Sequence, residues 1–220
     1  METVEYATGR LVDVFGSPGQ PTALFWHGAQ TDARTAMRLL AEQLADHGIG
    51  VLVPDWDSHA DDGGRDDLLQ SARFASERAQ DSGGLVIVGW SLGGVAAAGL
   101  TFQSRHLNVR VVHTVCLAGA FMARDPVGGD ALPSRLPGDR SPFTLLHGTD
   151  DDVVPIESSR TFAATLEHNH WSVELVELAT DHGGIAGATY DPVADRYSAA
   201  DDAATRSVAA EVAARIAAVF

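Results

Sequence analysis

The stretch that decides the fold is Leu85-Val86-Ile87-Val88-Gly89-Trp90-Ser91-Leu92-Gly93-Gly94. Four consecutive apolar residues, three of them β-branched, predict a strand buried on both faces. The run from Leu92 to Phe102 predicts a helix. Between the two lies Gly89-Trp90-Ser91-Leu92-Gly93, which fits G-x-S-x-G. A chain that turns sharply from strand into helix strains its central residue and leaves its neighbours no room for side chains. Glycine is then needed on both flanks, and the serine hydroxyl stands above the strand end. Ser91 also opens a helix, where unpaired N–H groups and the dipole favour developing negative charge. A plain glycine-rich turn is the bland alternative, but strand before and helix after are the context a nucleophile requires. Ser91 is the candidate nucleophile.

Outward from this turn, strands and helices alternate. Val4–Ala7 and Arg10–Phe15 flank Thr8-Gly9 and predict an antiparallel N-terminal hairpin. Short apolar runs follow at Thr22–Trp26, Gly50–Pro54, Leu85–Gly89, Val109–Leu117, Phe143–Leu146 and Trp171–Leu178. Met37, Leu40, Ala41 and Leu44 share one helical face, with Asp32 as N-cap and Gly48 closing the end. Leu68, Leu69, Ala72 and Ala79 predict a second helix, and Phe162, Ala163 and Leu166 a fourth. Val208, Val212, Ile216 and Val219 line an alanine-rich last helix. The alternation predicts an α/β fold: a mainly parallel sheet, right-handed crossovers and helices on both faces. Ala118–Ser141 and Gly183–Asp202 lack periodicity, which marks functional loops or short excursions.

The 220 residues suit a single domain, taken as 1–220. A chain this long buries enough surface to fold without disulfides or metal. Asp and Glu number 30 against 15 basic residues, a formal charge of −15, and every basic residue is arginine. Without lysine there is no Schiff-base chemistry and no Walker loop. So acidic a surface repels phosphates and anionic lipid, so neither nucleic acid nor membrane is an expected partner. Solubility accounts for most of the charge. Cys116 falls in the apolar run Val111–Leu117 and reads as an inert core thiol. Met1–Arg10 carries two glutamates and no apolar stretch, unlike a secretory signal. No stretch approaches the roughly 18 uninterrupted apolar residues of a membrane span. The expected location is the cytoplasm, and the sequence leaves room for a homo-oligomer.

A serine nucleophile needs a base, itself oriented by a carboxylate. His147-Gly148-Thr149-Asp150-Asp151-Asp152-Val153-Val154-Pro155 follows one predicted strand, and Asp181-His182-Gly183-Gly184 follows another. Serine, aspartate and histidine thus come in that order, each beyond the C-terminal end of a separate strand. In open parallel sheets that edge is where sites form. With these motifs the chain, from Arg10 to the last helix, resembles the α/β-hydrolase superfamily. It looks most like the small carboxylesterase and dienelactone-hydrolase-like serine hydrolases. The resemblance implies an α/β-hydrolase fold, and the short Ala118–Ser141 segment leaves no room for a sizeable cap domain. Those families carry H-G-x-x-D-x-x-V-P, which laid on His147–Pro155 selects Asp151 as the acid. A shift of register would put Asp150 or Asp152 in its place. Of nine histidines only His182 lies after the last predicted strand, followed by glycines that let its ring approach Ser91. It is the candidate base. In this family His-Gly turns such as those at His27 and His147 brace loops. His106 and His113 read as packed and neutral, while His47, His168 and His170 lie near helix ends that suit a protonated ring.

The oxyanion hole of such a site combines the Leu92 N–H with a donor in the loop after the first parallel strand. The resemblance places that donor on Ala29, within His27-Gly28-Ala29-Gln30. Gln30 reads as a substrate contact or as a cap for the next helix. Trp26, Trp90, Phe121, Met122, Tyr190 and Tyr197 adjoin these loops and are candidate pocket walls, with ordinary core as the alternative. Asp55, Asp57, His59, Asp61 and Asp62 have a metal-like composition, but Gly63-Gly64 beside them favours a solvated loop. No metal and no cofactor is expected. Serine at the elbow points to acyl transfer, away from the aspartate of related dehalogenases and epoxide hydrolases and the cysteine of dienelactone hydrolases proper. The expected activity is hydrolysis of a small-molecule carboxylic ester with a short or medium acyl chain, through an acyl-enzyme on Ser91. A thioesterase or amide hydrolase would use the same triad. A non-catalytic ligand-binding hydrolase fold would be expected to have a damaged one.

Overall fold

The computed structural model describes residues 1–17, 19–79, 83–137 and 140–220. Its centre is an eight-stranded sheet in the order β1-β2-β4-β3-β5-β6-β7-β8. β1 (Glu2–Ala7) and β2 (Arg10–Phe15) form the expected hairpin, and β2 runs antiparallel to β4 (Gly50–Pro54). From β4 onward, β3 (Thr22–Trp26), β5 (Leu85–Trp90), β6 (Val111–Leu117), β7 (Phe143–Gly148) and β8 (Val173–Leu178) are parallel. Every residue of β3, β5 and β7 is buried, whereas β8, at the edge, is only partly covered. β6 and β8 begin two residues later than their apolar runs.

Side chains alternate across a strand, so each face collects its own core. Phe25, Val51, Val53, Val86, Val88 and Val115 pack against α1 (Arg38–Asp46) and α5 (Ala203–Ala217). On the other face Leu24, Trp26, Leu52 and Ile87 meet α2 (Arg65–Arg78) and α3 (Leu92–Leu107). Cys116, Phe143 and Leu145 meet α3 again and α4 (Glu157–His168), through Phe162, Ala163 and Leu166. A fully buried Leu, Val or Phe is worth about 1.5–3 kcal/mol. A one-residue slip would turn every such side chain to the wrong face, so the packing fixes the register.

Three details depart from the sequence pattern. Asp32 caps no helix: it has φ 50° and pairs with Arg10 at 2.9 Å. The chain enters α1 through a 3-10 turn at Arg34–Met37, and Asp55 Oδ1 takes the Arg34 N–H that a cap would have served. Gly48, by contrast, does close α1 in a left-handed conformation, φ 79°. The segment after His182 is not irregular. It holds a 3-10 turn at Gly184–Ala186 and a hairpin of β9 (Ala188–Asp191) and β10 (Arg196–Ala199). Asp191 Oδ1 accepts the Val193 and Ala194 N–H groups and Asp195 turns left-handed at φ 50°, which folds the hairpin back. Between β6 and β7 the described residues form no helix and one isolated bridge, Arg124 with Ala131. No helix among the described residues is long and apolar enough to cross a membrane.

Candidate active site

Ser91 stands where β5 gives way to α3, with φ 57° and ψ −119°. The strain is set by its glycine neighbours. A Cβ on Gly89 would run into the backbone of Gly93, and one on Gly93 into the carbonyl oxygens of Trp26 and His27. The turn is pinned from both sides: Ser91 N–H donates to the Leu117 carbonyl at 2.9 Å, and its own carbonyl accepts Gly94 and Ala120 N–H groups. Backbone strain thus aims the hydroxyl outward while hydrogen bonds hold the chain behind it.

β7 and β8 supply the second half of the site. His182 Nδ1 lies 2.8 Å from Asp151 Oδ2. The carboxylate only accepts, so Nδ1 carries the proton and the Nε2 lone pair is free to take one. Asp151 Oδ1 accepts the N–H groups of Val153 at 2.9 Å and Val154 at 2.8 Å. Burial alone would raise the Asp151 carboxyl. The N–H groups of His147, His182 and Val154 outweigh it and hold the group below the usual carboxylate range. Asp150 and Asp152 are exposed, and neither carboxylate makes a hydrogen bond among the described residues. The His182 ring is buried by Trp90 and Tyr197 at centroid distances of 5.3 and 6.0 Å, and Trp90 Nε1 donates to the His182 carbonyl at 2.9 Å. Among the described residues Ser91 Oγ makes no hydrogen bond, to His182 or to any other group. Such bonds are often long without substrate and tighten when it binds.

The loop after β3 lies against the elbow: a Cβ on Gly28 would sit 3.3 Å from Ser91 Cβ. His27 is fully buried, and that desolvation carries its pKa down to about 3 against the hydrogen bond at Gly28. The ring Nε2 accepts the N–H groups of Ala33 and Trp56, so Nδ1 donates to the Gly28 carbonyl at 2.8 Å. In a planar trans peptide the carbonyl and the next N–H point in opposite directions. Fixing the Gly28 carbonyl therefore fixes the Ala29 N–H, which has no partner among the described residues. The Leu92 N–H, first of α3, belongs to the helix end that lacks intrahelical partners.

The neighbours sort differently from the sequence pattern. Trp26 is no pocket wall: it is wholly buried, and its Nε1 donates to Ser71 Oγ at 3.1 Å. Trp90 is also buried and supports His182 from beneath. Tyr190 and Tyr197 do face a cleft of about 700 Å³, with Asp152, Asp181, His182 and Thr205. Phe121 stacks on Phe162 at 3.9 Å, and together with exposed Met122 it lines a separate groove of about 520 Å³ against α4. Gln30 caps no helix; its side chain pairs with the backbone of the β9–β10 hairpin. That contact between residues 165 and 167 positions apart carries no local sequence signal. Asp55 is not a solvated loop residue either, being buried in an ion pair with Arg34. Asp57 accepts from Thr31 Oγ1 and from the His59 N–H. No group of three or more His, Cys, Asp or Glu converges as a metal site among the described residues. Cys116 is buried, and burial pushes its thiol up.

A family model described as the alpha/beta hydrolase family matches residues 23–219. No curated protein matches the chain. Among solved structures, Thermogutta terrifontis esterase 2, in a form phosphorylated by paraoxon, superposes with a TM-score of 0.67 at 19% identity over 84% of each chain. A Pyrobaculum calidifontis esterase gives 0.69 at 16% identity, over 95% of this chain and 80% of that one. An esterase/lipase from an uncultured bacterium gives 0.69 at 15% identity, over 99% and 84%. At these identities the likeness is one of fold.

Proposed function

This chain belongs to the alpha/beta hydrolase family, and on that premise we propose that it is a serine esterase acting on small carboxylic esters. The observation that carries the proposal is the 2.8 Å contact of Asp151 Oδ2 with His182 Nδ1 on the sheet edge that also presents Ser91. In the proposed reaction Ser91 Oγ attacks the ester carbonyl as His182 Nε2 takes its proton. The oxyanion forms against the N–H groups of Leu92 and Ala29, and the ionised Asp151 stabilises the imidazolium. His182 returns the proton to the leaving alcohol, which leaves an acyl group on Ser91. Water, deprotonated by the same nitrogen, releases the acid.

Two features favour short or medium acyl chains. The described residues between β6 and β7 build no helical cover over the edge. The cleft beside His182 is walled by tyrosines and carboxylates and not by a long apolar channel. Fluorophosphonate labelling tests the mechanism, because it reports on the nucleophile whatever the natural substrate. An adduct on Ser91 is expected, lost in Ser91→Ala and in His182→Ala. Folded protein that takes no label and leaves p-nitrophenyl acetate and butyrate intact would defeat the proposal. Turnover of acyl-CoA beside aryl esters then separates a thioesterase from an esterase.

A further inference from the structure

His147 is completely buried, yet it has no part in the proton relay just described. Its ring faces three groups. Nδ1 lies 2.7 Å from Ser159 Oγ, and Nε2 lies 2.9 Å from the Val154 carbonyl and 3.3 Å from Asp151 Oδ2. The carbonyl and the ionised carboxylate can only accept, so Nε2 must carry a proton. That proton is aimed at Val154 and shared toward Asp151; in the neutral ring the Ser159 hydroxyl donates to Nδ1.

Two consequences follow for Asp151. The bond to the Val154 carbonyl closes the turn whose Val153 and Val154 N–H groups hold Oδ1, so His147 staples that turn from below. On the other oxygen, Oδ2, the carboxylate meets two imidazole N–H groups, that of His182 at 2.8 Å and that of His147 at 3.3 Å. We infer that His147 is a positioning residue of the proton relay, fixing the Asp151 carboxylate and dividing its charge between two imidazoles. The inference rests on the serine-hydrolase reading above. A carboxylate that shares its charge stabilises the protonated form of His182 less than one devoted to it.

The other ionisable groups around His182 are Asp152 and Asp181 on neighbouring loops, Tyr190 and Tyr197 on the hairpin, and Asp202 at the start of α5. Near His147 the charged group is Glu177 on β8, whose carboxylate is engaged by Arg160 of α4. None of these changes in the variants that follow. His147→Leu removes the N–H, and His147→Gln keeps a donor of similar reach. In the Leu variant the His182 titration followed by NMR and the acid limb of kcat/KM should move up together, by about half a pH unit. Its kcat should fall about tenfold with KM nearly unchanged, a small part of the loss that follows removal of an orienting carboxylate. The Gln variant should restore the limb and most of kcat. A structural filler would lower thermal stability but leave the limb in place in both folded variants, and that result overturns the inference. Nitrogen NMR of the unmodified protein decides the matter if the Leu variant does not fold. It should show His147 protonated at Nε2; a proton on Nδ1 alone overturns the inference. The two NMR readouts, the His182 titration and the His147 protonation site, need no turnover. Protein that titrates as described but cleaves no ester refutes the esterase reading alone.

Discussion

Gln30 and Tyr197 are joined across 167 residues of chain: Gln30 Oε1 accepts the Tyr197 N–H at 2.8 Å, and Gln30 Nε2 donates to the Asp195 carbonyl at 3.2 Å. One side chain, next to the Ala29 N–H, thus holds the β9–β10 hairpin against the loop after β3. Tyr197 in turn packs edge-on to Trp90 at 4.9 Å and reaches the His182 ring. The loop that carries Ala29 and the ring of His182 are therefore braced by the same short hairpin. Gln30→Ala should cost about 1 kcal/mol for the lost bonds and speed hydrogen exchange across residues 188–199. Ester turnover should fall by about threefold to tenfold as positioning loosens. Unchanged exchange in the hairpin would mean the clamp carries no load.

The elbow glycines predict a contrast. A Cβ on Gly93 meets the carbonyl oxygens of Trp26 and His27, which belong to β3 and its following loop and cannot withdraw without breaking the sheet edge. Gly93→Ala should destabilise by about 3 kcal/mol and abolish labelling of Ser91. At Gly129 a Cβ meets nothing within 4 Å and only φ 83° opposes it. Gly129→Ala should cost about 1 kcal/mol and leave turnover alone. Urea titration of both variants measures the difference; equal costs would refute steric exclusion at the elbow.

Local patterns made most of the fold legible. The buried strands announce themselves as apolar runs, and the G-x-S-x-G turn needs only its own neighbours to explain Ser91. What escaped was non-local. Asp32 looks like a helix cap by position, yet Arg10, from β2, pairs with it. Asp55 looks solvated beside other acids, yet Arg34 takes it into the interior. Trp26 borders the loop after β3 in sequence, but strand alternation turns its ring to the opposite face, onto Ser71 of α2. The β9–β10 hairpin carries one tyrosine in each four-residue strand, Tyr190 opposite Tyr197, and the strands are too short for periodicity to register. A shared carboxylate oxygen between His147 and His182 requires β7 and β8 to be adjacent, which only the sheet order supplies.

Three consecutive aspartates follow β7, and the geometry assigns them unequal duties. Asp151 is the one whose side chain is inaccessible and touches His182. Asp151→Asn keeps the shape but offers His182 an amide, which favours the wrong tautomer, so kcat should drop by about 10⁴. Asp150→Asn, at an exposed carboxylate, should stay within about threefold of the parent, and Asp152→Asn, on the cleft wall, within about tenfold. Steady-state kinetics on p-nitrophenyl acetate rank the three. A larger loss at position 150 or 152 than at 151 would move the acid.

Two desolvated histidines, His27 fully buried and His113 partly so, set the response of stability to acid. Desolvation brings His27 down to about 3 and His113, whose Nε2 lies 2.9 Å from Thr144 Oγ1, down to about 4. In the unfolded chain both titrate near about 6.5. Between those limits the unfolded chain holds protons that the folded chain refuses, so acidification favours unfolding. Their contribution is therefore whole above about pH 6.5 and drains away as pH falls toward 4 and then 3. Asp125 works in the opposite sense. Burial lifts its carboxyl to about 6 despite the N–H groups of Val127 and Gly128 and the nearby Arg65. Its folded form takes up a proton first, adding stability as pH falls from about 6 to about 4. Two histidines against one carboxyl leave a net decline, so Tm should fall between pH 7 and pH 5. His113→Gln, which keeps a polar partner for Thr144, should flatten that decline, and Asp125→Asn should steepen it. Thermal melts across this interval check both signs, and parallel curves for the parent and His113→Gln would show that His113 is not buried neutral.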